Sequence, residues 1–252
     1  MLLRRIWRSL LIILHLLLGY LAFYRAGGGR TPYAPAVREV MQRWHQRMLA
    51  LLNVEITVNG TIPHERERPM LMIANHVSWV DIPLIGSLTP VNFLSKAEVA
   101  KWPVVGSLAV KLGTLFISRG SGDTEKVMDE MADHLNKHLS MLFFPEGTTT
   151  DGSKIRRFHK KLFKVCDRTE VEVLPLLIRY HSVDGANPAP FVGDIPFGTH
   201  FWAMVGHKTI KASVDVMPAL KLDPENVGHQ IRELELQMRE RLVAGATPFL
   251  HQ

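Results

Sequence analysis

From Ser9 to Tyr24 the chain reads SLLIILHLLLGYLAFY, apolar except for Ser9 and His15, with Arg4, Arg5 and Arg8 before it and Arg25 after it. No other stretch limits the fold as strongly, because such a run must be covered either by protein or by lipid. As a helix these residues span roughly 24 Å at about 1.5 Å per residue, short of a bilayer core of about 30 Å. Ile6 and Trp7 can lengthen the run, with the flanking arginines reaching toward head groups. A cleaved secretory leader competes with this reading, but the nearest small-residue pattern, Ala34-Pro35-Ala36, stands ten residues past the run and contains proline. A buried core helix is the third reading, and arginines on both flanks weigh against it. Membrane attachment is the expectation, with spanning left open.

Charge supports the same reading. Eight arginines against Glu39 give residues 1–47 a surplus of seven, whereas the whole chain carries +6, so the other 205 residues sum to −1. Such concentration suits a segment facing anionic lipid or nucleic acid. It adjoins an apolar run and no nucleic-acid motif is present, so lipid is the expected partner and nucleic acid is not. After Gly27-Gly28-Gly29, Val37, Val40, Met41, Trp44, Met48, Leu51 and Leu52 recur at helical spacing, with Arg38, Arg43 and Arg47 elsewhere around the wheel. That basic amphipathic helix either lies in the membrane interface with Trp44 at head-group level or packs on the domain. The single cysteine, Cys166, excludes an internal disulfide and a Cys-based zinc site. His134 and His138 lack an obvious third ligand, so no metal is expected.

Beyond residue 53 the pattern alternates between strand and helix. Strands are expected at Val54–Val58, Pro69–Ala74, Val91–Leu94, Gly113–Ser118, Ser140–Phe144, Val171–Ile178 and Thr209–Val216. Helices are expected at Trp79–Leu88, at Asp123–Leu139, and from an Asp223 N-cap with Pro224 at the first helical position through about Leu242. The expected fold class is α/β, a central mixed sheet flanked by helices, with an N-terminal membrane-attachment helical hairpin. The expected division is residues 1–52 for attachment and 53–252 for the α/β domain.

The sharpest local feature is Asn75-His76-Val77-Ser78-Trp79-Val80-Asp81, where the strand ending at Ala74 gives way to helix. On one continuous helix His76 and Asp81 would be rotated by roughly 140° and could not pair. With His76 in the loop and Asp81 in the first helical turn, the carboxylate reaches the ring and leaves the other imidazole nitrogen free as a base. The plainer reading is a histidine capping the helix while Asp81 serves its dipole. A second loop, Phe144-Pro145-Glu146-Gly147-Thr148-Thr149-Thr150-Asp151-Gly152, follows an apolar strand. Turn chemistry explains Pro145 and Gly147 but does not require Glu146 or three threonines. No G-x-S-x-G occurs, and Ser107 in Val105-Gly106-Ser107-Leu108-Ala109 lacks the second glycine of a nucleophile elbow, which argues against a serine hydrolase.

These residues resemble the glycerolipid acyltransferases, and within them the bacterial 1-acylglycerol-3-phosphate acyltransferases. NHVSWVD resembles the family's first block, N-H-x-S-x-x-D; Gly113-Thr114-Leu115-Phe116-Ile117-Ser118-Arg119 resembles the second, G-x-x-F-I-x-R; FPEGTTT resembles the third, F-P-E-G-T-R-S; Val173-Leu174-Pro175-Leu176 resembles the fourth. The likeness runs from about Val54 to Met217 and includes the linking segments Lys96-Ala97-Glu98 and Trp102-Pro103-Val104-Val105-Gly106. It implies that His76 takes the proton of a substrate hydroxyl, which attacks an acyl thioester directly, and that Asp81 orients His76. Arg119 and Glu146 would position the acceptor's head, Gly147 and Thr148 would shape the loop, and Asn75 and Ser78 would join the substrate contacts. The donor would be acyl-CoA or acyl carrier protein as co-substrate, with no other cofactor, and the product phosphatidic acid. The expected place is the inner membrane, with the domain on the cytoplasmic side where donors are made and where Arg4, Arg5 and Arg8 favour the N-terminus.

One position departs from the family pattern: Thr149 stands where the third block usually has arginine. Arg119, Lys154, Arg156 or Arg157 then supplies the charge for a phosphate, or the acceptor is another lysolipid such as lyso-ornithine lipid. The basic segment Lys154–Lys164 suits coenzyme A phosphates, an acidic carrier protein or lipid head groups, and is otherwise a solvated face. A membrane-bound relative that binds lipid without chemistry is the remaining alternative.

Overall fold

The structure is a computed structural model that describes residues 1–65, 67–102, 105–118, 122, 124–182 and 187–245. Helix α1 (Leu2–Arg25) and helix α2 (Pro35–Leu52) precede strands β1 (Val54–Asn59) and β2 (Met70–Ala74). There follow α3 (Asp81–Leu88), β3 (Asn92–Lys96), α4 (Val105–Lys111), β4 (Leu115–Ile117), α5 (Thr124–Asn136), β5 (Met141–Phe143), β6 (Glu172–Ser182), α6 (Phe197–Met204), β7 (Ile210–Val216) and α7 (Val227–Ala244). Two 3-10 turns, Ala97–Lys101 and Lys161–Arg168, complete the described elements.

The seven described strands form one mixed sheet in the order β1-β7-β6-β2-β5-β3-β4. Only β6 and β7 pair antiparallel, from Leu176 opposite Val216 to Ser182 opposite Ile210. β2 runs parallel to β5 on one side and to β6 on the other. The C-terminal ends of β2, β3, β4, β5 and β6 therefore share one edge, the usual place for a site in such sheets. Pro175 lies inside β6 opposite Ile73 of β2, and its carbonyl accepts from Met217 N at 3.0 Å just past the end of β7. The N–H that proline lacks falls where that antiparallel ladder has stopped, which is how the strand tolerates it.

Alternation along β2 separates two cores. Met70, Met72 and Ala74 point to one face, where α1, α2 and α3 pack through Ile12, Met48, Leu49, Leu52, Leu84 and Ile85. Leu71 and Ile73 point to the other, where α5, the 3-10 turn Lys161–Arg168 and α7 contribute Met131, Phe163, Val165, Ile231 and Met238. Both faces of β2 are buried, as the apolar run of a central parallel strand requires.

The hairpin is longer than expected, and its second helix takes the packed alternative of the two left open. Helix α1 takes in Leu2–Arg25, 24 residues, or about 36 Å. It is the one described helix long and apolar enough to cross a membrane. Leu10, Ile13, Leu14, Leu17, Leu18 and Leu21 stand exposed along it. Helix α2 packs on the domain instead of lying free in an interface. Trp44 is half-buried, its ring stacked on His15 at 5.1 Å and its Nε1–H donating to the His15 carbonyl at 3.3 Å. A Cβ on Gly19 would lie 2.1 Å from that indole, so only glycine permits the approach. At the other end of α2, Arg38 pairs with buried Glu65 and donates to Asn92 Oδ1 at 2.6 Å, tying the helix to the start of β3.

The C-terminal helix also starts later than expected. Asp223 does cap, but it caps a turn: Oδ1 accepts Glu225 N at 3.1 Å and Oδ2 accepts Asn226 Nδ2 at 2.6 Å, and α7 begins at Val227. The local side-chain bonds compete with helix initiation at Pro224.

His45 on α2 adjoins α3, where its ring sits within 3 Å of the Cβ that Gly86 lacks. Burial, reinforced by the neighbouring His15, pushes its imidazole from 6.5 down to about 4. Between those values the unfolded chain binds a proton that the folded chain refuses, so stability falls as pH drops from 6.5 toward 4. Denaturant midpoints measured across that window should decline for the wild type and decline less for His45→Gln, which has nothing to protonate there.

Candidate active site

The loop after β2 and the loop after β5 meet at the C-terminal edge of the sheet. Asp81 is the first residue of α3 and is wholly buried. Its Oδ2 accepts from Val77 N at 2.8 Å, Ser78 N at 3.0 Å and the His76 ring at 2.8 Å through Nδ1. Its Oδ1 accepts from the Tyr180 hydroxyl at 2.7 Å. The five-residue spacing works because His76 stays in the loop, so Asp81 serves both as helix-start acceptor and as partner of the ring. A carboxylate cannot donate, so Nδ1 carries the proton and Nε2 remains the acceptor nitrogen. Nε2 has no protein partner among the described residues, and the side chain is 20% exposed. The ring lies flat on Phe144, 3.9 Å between centroids and 11° between planes, which fixes its tilt.

Glu146 binds the two loops together. Its Oε1 accepts from His76 N at 2.8 Å and its Oε2 from Arg156 N at 2.7 Å. Burial raises its carboxyl pKa, although both backbone bonds and His76 pull the other way. Gly147 follows with φ of +66°, a left-handed turn that favours glycine. Thr150 N donates to the His76 carbonyl at 2.8 Å, and Phe191 N donates to the Val77 carbonyl at 2.9 Å. The Thr149 hydroxyl donates to the Phe191 carbonyl. Thr148 is half-buried in the same loop.

The expected site residues thus divide. His76, Asp81, Glu146, Gly147 and Thr148 come together at the sheet edge. Asn75 is turned into the sheet: its Nδ2 donates to the Ile178 carbonyl at 2.9 Å and its Oδ1 accepts Ile178 N at 2.7 Å, so it extends the β2–β6 ladder and corrects the expectation of a substrate contact. Ser78 is fully buried, with a hydroxyl that has no partner among the described residues. Arg119 lies outside the described residues. Tyr180 escaped the sequence reading because it lies 99 residues from Asp81, two residues past the expected end of the strand at Ile178, which β6 extends to Ser182. Burial and the adjacent Asp81 carboxylate hold its phenol well above the usual range, so it acts as a fixed donor.

Trp79 extends the arrangement outward. Its Nε1–H donates to His200 Nδ1 at 3.0 Å, and His200 Nε2 bonds the Pro190 carbonyl at 3.0 Å. Phe197 and Phe201 of α6 face the Trp79 ring at 5.4 and 6.4 Å. An aromatic wall therefore borders the His76 loop on the face that carries α1. An ionisable ring with one nitrogen held, beside an apolar wall, can take a proton from a hydroxyl on an amphipathic substrate.

Comparison with known proteins identifies the family. A family model described as Acyltransferase matches residues 55–179, from β1 to near the end of β6. Lyso-ornithine lipid O-acyltransferase of Pseudomonas aeruginosa is 38% identical over 216 residues, 85% of this chain and 82% of that protein. 1-acyl-sn-glycerol-3-phosphate acyltransferase of Neisseria gonorrhoeae is 32% identical over 169 residues, 66% of each chain. The fold matches the crystal structure of PlsC, the 1-acyl-sn-glycerophosphate (LPA) acyltransferase of Thermotoga maritima, with a TM-score of 0.68 over 96% of both chains at 21% identity. His76, Asp81 and Glu146 all fall inside the matched segment, and the chain belongs to the acyltransferase family.

Proposed function

We propose that this protein transfers an acyl chain from a thioester to the free hydroxyl of a lysolipid, with lyso-ornithine lipid as the acceptor. The observation that carries the chemistry is the His76–Asp81 pair, held by backbone and Tyr180, with Nε2 free of any partner among the described residues. Nε2 takes the hydroxyl proton as the acceptor oxygen bonds to the thioester carbonyl carbon. The carbon–sulfur bond then breaks, and the imidazolium returns its proton to the departing thiolate. Asp81 stabilises the imidazolium and holds the productive tautomer. No enzyme nucleophile is needed. Glu146 acts as a positioning residue, because its carboxylate fixes the backbone of His76 and not its ring. This organised site also disfavours a relative that only binds lipid.

The choice of acceptor is supported by the 38% identity to a lyso-ornithine lipid enzyme and by Thr149, whose hydroxyl is engaged with the Phe191 carbonyl where the related block usually offers arginine to a phosphate. The second reading, 1-acylglycerol-3-phosphate as acceptor, is favoured by the Neisseria relative and would draw on Arg119 or on the exposed Lys154 and Arg156. The donor thioester is carried on coenzyme A or acyl carrier protein. Helix α1 attaches the chain to the membrane with the domain on the cytoplasmic side, and residues 53–252 hold the transfer chemistry.

Three outcomes are expected. First, His76→Ala and Asp81→Asn should each lower kcat by about 10² or more, and Tyr180→Phe by about tenfold. KM should change little in all three, and circular dichroism should stay native; full turnover in His76→Ala would remove the base assignment. Second, when the acceptors are offered in parallel, kcat/KM should be higher for lyso-ornithine lipid than for lysophosphatidic acid, and the reverse ranking would install the second reading. Third, deleting residues 1–25 should release a folded protein from membranes, whereas deleting 1–52 should unfold it, since Met48, Leu49 and Leu52 belong to the core. Sedimentation with vesicles and thermal melting distinguish the two.

A further inference from the structure

On the sheet face opposite α1 and α2, a groove between residues 154–164 and α7 is lined by Arg157, Lys160, Arg232, Glu235, Leu236 and Arg239. On α7, Arg232, Glu235, Leu236 and Arg239 share one stripe by their spacing, while Glu233 and Glu240 fall on another. Glu235 offsets one of the four cations, Arg239, and leaves the groove a positive excess. It is buried, with one oxygen on Phe158 N at 2.8 Å and the other on the Arg239 guanidinium at 2.7 Å. Lys160 is fastened to the Gly228 carbonyl. Arg157 and Arg232 are exposed and have no side-chain partner among the described residues. Exposed Lys161 and Lys164 continue the cationic run.

Three features identify what fits there. The groove begins one residue past Arg156, whose N–H meets the same Glu146 carboxylate that fixes His76, so one wall of the groove is continuous with the loop that holds His76. The volume of about 200 Å³ is open and small, below the roughly 300–1,000 Å³ of pockets that enclose small ligands. A convex macromolecular surface suits it better than a nucleotide. The elements that form it pack on the second core, away from the face where α1 exposes its leucines, so the groove looks away from a bilayer engaged by α1. Leu236, 48% exposed among cations, supplies an apolar centre with a charged rim.

We propose that this groove docks an acidic protein that carries the acyl chain as a thioester, an inference that rests on the acyl-transfer reading above. Its opposite charge would steer the encounter and set the orientation in which the thioester arm is presented.

The test uses the full chain in detergent, as wild type, Arg232→Glu and Arg232→Glu/Leu236→Glu. Binding of acyl carrier protein without an acyl chain is followed by fluorescence anisotropy at low and high salt. Transfer is measured from the same acyl chain on acyl carrier protein, on coenzyme A and on uncharged N-acetylcysteamine. Carrier binding should weaken with salt in the wild type and by about tenfold or more in the double variant. KM for the carrier-borne donor should rise in parallel with little change in kcat, and transfer from N-acetylcysteamine should stay at the wild-type rate. Unchanged carrier binding would overturn the proposal. So would an equal loss with coenzyme A, which would assign the groove to phosphate, or an equal loss with N-acetylcysteamine, which would signal damage to the centre. If the wild type binds carrier but transfers from none of the three donors, the acyl-transfer reading fails, and the binding comparison still decides the docking.

Discussion

A wholly buried carboxylate would ordinarily be ruinous, and the site exists because Asp81 is not left to bear its charge alone. Two backbone amides, a phenol and an imidazole N–H converge on its two oxygens. Each of these bonds also fixes something else: the turn before α3, the register of β6 against that turn, and the tautomer of His76. Burial makes every one of these interactions stronger and makes the loss of any one costly. The arrangement is therefore preorganised, with the orientation of these dipoles completed by folding.

The second carboxylate works differently. Glu146 is buried too, yet its partners are backbone amides on two separate loops, so its role is to hold distance. One oxygen grips the chain at His76 and the other grips it at Arg156, ten residues further along its own loop. Together with the Thr150 bond to the His76 carbonyl, this closes a short circuit of hydrogen bonds around the ring. The imidazole is left to meet its surroundings through Nε2 and through the face not covered by Phe144.

Much of this was legible in the chain. The alternation of strand and helix is a local property, and β1, β2, β3, β5 and β7 lie where their apolar patterns put them. The pairing of His76 with Asp81 was legible too, since one strand-to-helix turn brings them together. What escaped had a non-local or competing cause. Tyr180 signals nothing by itself, because its meaning comes from sheet order. Asn75 looks like a site residue in the motif, but only the position of β6 shows that its side chain bonds to a neighbouring strand. The start of α7 was misplaced because Asp223 satisfied a turn instead of a helix. Helix α1 begins earlier than its apolar run because arginines at positions 4, 5 and 8 are good helix formers whose heads can leave the apolar face.

Gly19 has a consequence for geometry on a larger scale. By admitting the Trp44 indole against the backbone of α1, it lets the membrane-seeking helix lie flush on α2, which is itself part of the core. The anchor is thereby welded to the domain rather than tethered by a flexible leash. The depth and tilt that α1 adopts in a bilayer then set the height of the His76 ring above the acyl chains. Whatever position α1 takes, the domain must follow it as one body, since the two are joined by packed side chains and not by a linker.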